Sequence, residues 1–143
     1  MSHKPVDILL VEDSPADAYF VQQALQNTLV HTLQVVQDGE EAMTFMEREG
    51  AYANAFTPDL ILLDLNLPKR NGLWVLAELK KNERYRQIPV IVLTTSAAAS
   101  DIKQAYQLSA SCYITKPGDF DQFVHVVKAI KSFWCTVVTL PMQ

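Results

Sequence analysis

Four separated, mainly apolar runs in this sequence each end on polar side chains of a type that can do chemistry. Val6 to Val11 leads into Glu12 and Asp13, and Leu60 to Leu63 leads into Asp64 and then Asn66. Val90 to Leu93 meets Thr94 and Thr95, and Cys112 to Ile114 meets Thr115, Lys116 and Pro117. Each is ordinary alone: a carboxylate opening a solvated loop, a threonine capping a helix, a surface lysine. If the four runs are strands of one parallel sheet, these groups meet, because loops leaving the carboxyl ends of such strands form the ligand crevice.

Glu12, Asp13 and Asp64 would then crowd one crevice with negative charge. Two carboxylates roughly 4 Å apart repel by about 4 kcal/mol at an effective dielectric of 20, so a cation is called for. Oxygen ligands without His or Cys suit Mg²⁺, which takes one or two carboxylates and keeps several waters. The backbone oxygen of Asn66 would complete the set. A metal held this way also neutralises phosphate oxygens, so Asp64 could attack a phosphoryl donor in line and become an aspartyl phosphate. Lys116, as a compact charge, and the Thr94 hydroxyl would hold the transferred group.

The elements that must position these groups can be read from the pattern around them. Leu60 to Leu63 shows no polar alternation, as expected of a parallel strand covered on both faces. After Val6 to Val11, Ser14 is suited to cap a helix with Pro15 in its first position, an inner stripe of Ala18, Val21 and Leu25, and a weakening at Asn27-Thr28. Leu33 to Val36 reads as a short second strand. The next helix carries Glu40 and Glu41 in its first turn and stops at Gly50, with Ala42, Phe45 and Met46 inward. A third helix follows Asn71-Gly72, its inner side made by Val75, Leu76 and Leu79 and its outer side by Glu78, Lys80 and Lys81. A fourth packs through Ile102, Ala105 and Tyr106. The last runs from Asp119 to about Phe133, with Phe120, Phe123, Val124, Val127 and Ile130 at helical spacing. Alternation of this kind predicts an α/β fold: a doubly wound, five-stranded parallel sheet with right-handed crossovers and the flavodoxin-like order 2-1-3-4-5.

The totals exclude several classes. With 143 residues, 49% apolar and a net charge of −4, the chain fits one compact domain. No apolar run approaches the roughly 20 residues of a membrane span. The first residues reach acid before completing a signal-peptide core, so a cytoplasmic protein is expected. Cys112 and Cys135 make no CxxC, and His3, His31 and His125 are not at zinc-ligand spacing. A mildly acidic chain without a basic cluster argues against nucleic-acid binding. Glycines stand only at 39, 50, 72 and 118, so neither GxGxxG nor a P-loop is present and a flavin or nucleotide site is disfavoured. An aspartyl-nucleophile phosphatase would want a second Asp where Asn66 stands.

The stretches LLVEDSPAD, LILLDLNLPKRNG, VIVLTTS and CYITKP together resemble the receiver domain of bacterial two-component response regulators over nearly the whole chain. The resemblance implies that Asp64 is the phosphoacceptor and that Glu12, Asp13, Asp64 and the Asn66 carbonyl serve Mg²⁺. Thr94 and Lys116 would be switch residues, and Tyr113 matches the family's aromatic switch position, although a half-buried strand tyrosine is an equal reading. It also implies a cis bond before Pro117. Two departures stand out. Asn71-Gly72 replaces a frequent Asp-Gly, which touches a turn. Thr95 replaces a small residue, and its bulk is expected to slow the access of small phosphodonors to Asp64.

Only 27 residues follow Lys116 (143 − 116), so a receiver over residues 1–134 with an extension over 135–143 is expected, and no DNA-binding output domain. Its signal would then pass to another protein or through its own oligomeric state. LTTS, SCYITKP and a terminal SFW before VTLP look most like the small regulators that partner cyanobacterial phytochrome histidine kinases. Val126, Phe133 and Trp134 widen the apolar stripe of the last helix ahead of the β-prone Thr136 to Leu140. A homodimer through that surface is expected, the alternative being a tail folded back on its own domain. A receiver-like adaptor working without phosphorylation is the alternative function.

Overall fold

The computed structural model describes residues 5–26 and 30–141. Strands β1 (Val6–Val11), β2 (Val30–Val36), β3 (Leu60–Leu63), β4 (Val90–Thr94) and β5 (Cys112–Thr115) alternate with helices α1 (Pro15–Leu25), α2 (Gly39–Met46), α3 (Gly72–Lys81), α4 (Ala99–Gln107) and α5 (Phe120–Ser132). All strand pairs are parallel, in the order β2-β1-β3-β4-β5. That is the order expected. Residues of opposite strand parity feed two cores. Leu9, Val11, Ile61, Leu63, Val90 and Val92 face Phe45, Val75, Leu76 and Leu79, whereas Ile8, Leu10, Leu60, Leu62, Ile91 and Leu93 face Val21, Phe123, Val127 and Ile130. Burial on both faces is why the inner strands β3 and β4 lack polar alternation.

Side-chain caps fix where the helices start. Ser14, Asp38, Asn71 and Asp119 accept from the backbone N–H of Asp17, Glu41, Trp74 and Gln122, each three residues on, so α1, α2, α3 and α5 begin on schedule. The Asn71 cap shows that this departure from Asp-Gly serves the turn. Gly72 is required for another reason: a Cβ there would lie 2.3 Å from the Asp64 carbonyl oxygen.

Several boundaries differ from expectation. Strand β2 starts at Val30 rather than Leu33, because at the sheet edge it is half-exposed and tolerates polar residues. Helix α2 ends at Met46, not Gly50, and Arg48 takes a left-handed φ of 56° while Glu49 N–H returns to the Thr44 carbonyl, which closes the helix early. Lys80 is not an outer-face lysine: its Nζ donates to the carbonyls of Arg86 at 3.1 Å and Ile88 at 3.2 Å. Tyr106 is exposed, and Ala105 does the packing of α4. Asn27-Thr28 and His3 lie outside the described residues. Thr136 to Leu140 is not a strand. The chain continues from α5 into a π-helical turn over Phe133–Val137, with Val138 N–H on the Phe133 carbonyl, because this turn buries Cys135 against the α1/α5 core.

Candidate functional site

Register brings the polar run ends together. Asp64 N–H donates to the Val11 carbonyl at 3.0 Å and Glu12 N–H to the Val36 carbonyl at 2.9 Å, so Asp64 stands beside Glu12 just past β3 and β1. Lys116 N–H donates to the Thr94 carbonyl at 2.7 Å, which sets Lys116, just past β5, beside Thr94 at the end of β4. Glu12, Asp64, Thr94 and Lys116 are the buried polar or charged residues of the described chain. All four are residues that the sequence places at the run ends.

Lys116 Nζ is the hub. It donates to Glu12 Oε1 at 2.6 Å, Asp17 Oδ2 at 2.9 Å and Asp64 Oδ2 at 3.0 Å. Burial alone would depress this ammonium, but the bonds to Glu12 and Asp17 and the charges of Glu12 and Asp64 outweigh burial and hold its pKa above that of an ordinary lysine. Burial pushes the Glu12 carboxyl up to about 7, against the pull of Lys116 and with the help of Asp64. Glu12 is held by Ser14 N–H on Oε2 at 3.1 Å, and Asp64 by Asn66 N–H on Oδ1 at 3.0 Å. No buried side-chain polar atom among the described residues lacks a partner.

Carboxylate oxygens of Glu12, Asp13 and Asp64 lie within 4.8 Å of one another, with Asp13 exposed to water. An all-oxygen cluster that retains an open side fits a hard divalent cation that keeps waters. Asn66 also stands at this edge, and its side-chain amide donates to Thr95 Oγ1 at 3.2 Å and Thr94 Oγ1 at 3.4 Å. Thr94 is buried and Thr95 exposed.

Tyr113 is half-buried at the α3/α4 core. Its hydroxyl donates to the Ser96 carbonyl at 2.8 Å, and its N–H donates to the Tyr106 hydroxyl at 3.1 Å, so it links β5 to the loop after β4. The Lys116-Pro117 bond corrects the expected cis isomer, since no described peptide bond is cis. Trans is the lower form by about 0.5–1 kcal/mol before proline, and Lys116 makes its three ion pairs from it. Val126 and Trp134 pack partly on their own domain, whereas Phe133 stands 52% exposed.

Asp17 was missed. It reads as an ordinary first-turn acid of α1. The available signal was its place three residues after the Ser14 cap: side chains lean toward a helix's N-terminus, and that end of α1 faces the crevice.

The sequence pattern of the response regulator receiver domain matches residues 8–128. The chain belongs to that family. Response regulator Rcp1 of Synechocystis sp. is 48% identical to this receiver over 141 residues, 98% of this chain and 96% of that regulator. A crystal structure of the phosphorylated cyanobacterial phytochrome response regulator RcpA matches with a TM-score of 0.94 and 48% identity, covering 97% of this receiver and 100% of that chain. The Mn²⁺-bound form of Rcp1 matches with a TM-score of 0.92 and 46% identity, covering 96% and 100%. Among the described residues of this receiver, no helix is long and apolar enough to cross a membrane.

Proposed function

We propose that this receiver is a cytoplasmic response regulator that accepts a phosphoryl group from a sensor histidine kinase on Asp64 with Mg²⁺ bound. The observation that carries the reading is a buried lysine within 3.0 Å of Asp64, beside an acid cluster open to water. A Asp64 carboxylate oxygen attacks phosphorus while the bond to the donor's imidazole nitrogen breaks, and that nitrogen keeps the electron pair. Lys116 and the Thr94 hydroxyl bind the oxygens of the transferred group. Glu12, Asp13, Asp64 and the Asn66 carbonyl would hold Mg²⁺, which neutralises phosphoryl oxygens when bound. Any catalysis beyond this is limited to self-phosphorylation and autodephosphorylation.

Likeness to Rcp1 and to the phytochrome regulator RcpA favours a phytochrome kinase as the donor. Tyr113 serves as the aromatic switch, passing the state of the site to the loop after β4. We assign residues 1–134 to the receiver and 135–143 to an extension that supports a homodimer through α5 and the exposed Phe133. Its signal goes to a downstream protein and not to nucleic acid. No described feature favours the phosphorylation-independent adaptor.

Intact mass after incubation with Mg²⁺ and acetyl phosphate, or with a phosphorylated histidine kinase, tests the reading. Wild type is expected to gain one phosphoryl group and Asp64→Asn none. Absence of an adduct on the wild type from both donors rejects the reading.

A further inference from the structure

An ammonium has three N–H donors, and on Lys116 all three are taken by carboxylates from three different segments. Glu12 and Asp64 belong to the cluster suited to a divalent cation, and Asp17 does not. Asp17 is also the outermost of the three, its side chain 30% exposed against 2% for Glu12 and 6% for Asp64. Its own position is set by the cap of α1, where its N–H donates to Ser14 Oγ at 3.3 Å. Lys116 is thus shared between the chemistry and a helix that takes no part in it.

We infer that Asp17 is a positioning residue that draws Lys116 toward α1, in competition with the cation-binding carboxylates before phosphorylation and with the phosphoryl group afterwards. The inference rests on Asp64 being the phosphoacceptor. Before transfer, every bond that Lys116 makes to Glu12 or Asp64 opposes a cation there. Asp17 occupies one donor and adds negative charge nearby, and both favour the cation. After transfer, new phosphoryl oxygens seek the same ammonium, whose donors to Glu12 and Asp64 are freed when those carboxylates turn to the cation, while the third stays on Asp17. Asp17 keeps that third donor and holds the ammonium toward α1, and its charge opposes the arriving charge. Its two effects therefore have opposite signs, which a general loosening of the fold does not reproduce.

The test uses wild type, Asp17→Asn and Asp17→Glu. Mg²⁺ affinity is read from amide NMR shifts of the unphosphorylated protein, which also report the fold. Affinity for beryllofluoride, a non-covalent stand-in for the phosphoryl group, is then read at saturating Mg²⁺. Asp17→Asn is expected to weaken Mg²⁺ about three- to fivefold and to tighten beryllofluoride by a similar factor, the upper range for a partly exposed ion pair. Asp17→Glu, which keeps the charge, is expected to stay near wild type in both. Losses in both affinities, or no change in either, overturn the proposal while leaving Asp64's role standing if wild type binds beryllofluoride. If wild type does not bind it, and gains no phosphoryl mass, the phosphoacceptor reading itself fails and this one with it.

Discussion

Thr95 lies one residue past the buried Thr94, and its hydroxyl receives the Asn66 amide. Bulk and hydrogen bonding can therefore be separated at this position. Thr95→Ala removes both and is expected to label with acetyl phosphate about two- to fivefold faster, a barrier change under roughly 1 kcal/mol. Thr95→Val keeps the volume and loses the hydroxyl, so it should label at the wild-type rate if bulk decides access. Equal rates in wild type and Thr95→Ala would reject the effect. Legibility at this scale followed chain geometry. Glu12, Asp64, Thr94 and Lys116 could be read because each ends or directly follows a strand, and strand ends in a parallel sheet share one edge. Asp17 could not, because its role depends on how α1 leaves that edge and on the reach of a lysine about a hundred residues away, |i−j| = 99.

The turn between β3 and α3 couples an element boundary to the phosphoacceptor. Asn71 caps α3, while Gly72 lets the helix start pass against the Asp64 carbonyl and Leu65 Cα, 2.3 and 2.7 Å from where a Cβ would stand. Gly72→Ala must push those backbone atoms aside. The expected cost is about 1–3 kcal/mol, as for other overpacked sites, read as a lower urea midpoint together with slower phosphorylation. A normal midpoint would mean the turn yields more easily than its packing suggests. Strands β1, β3 and β4 were readable because burial on both faces leaves apolar runs, interrupted only by Asp7 in β1. The edge strand β2 has half-exposed residues and gave a shorter signal, and the end of α2 was set by Arg48 in a left-handed conformation, which the nearby Gly50 masked.

At the scale of the whole molecule, the extension divides its apolar residues between two uses. Trp134, Cys135 and Leu140 lean on the α1/α5 core, which explains why β-prone residues there form no strand. Phe133 and Val137 remain exposed, at 52% and 68%. If the homodimer forms through this face, Phe133→Ser should weaken it about ten- to hundredfold, since burying the exposed half of each of the two phenylalanines is worth roughly 1.5–3 kcal/mol in total. Sedimentation equilibrium would measure this, and a wild type that stays monomeric at high concentration would reject the dimer. The Lys116 hub has a further consequence for how the chain comes together. It closes a contact over 104 residues to Glu12 and 52 to Asp64, among the most distant in sequence, and such closures carry the largest chain-entropy cost. A partly folded chain with β1 and β3 paired but β5 still loose has its acids gathered with no ammonium between them. The reactive edge is thus the part of the fold that repels itself until the last strand docks.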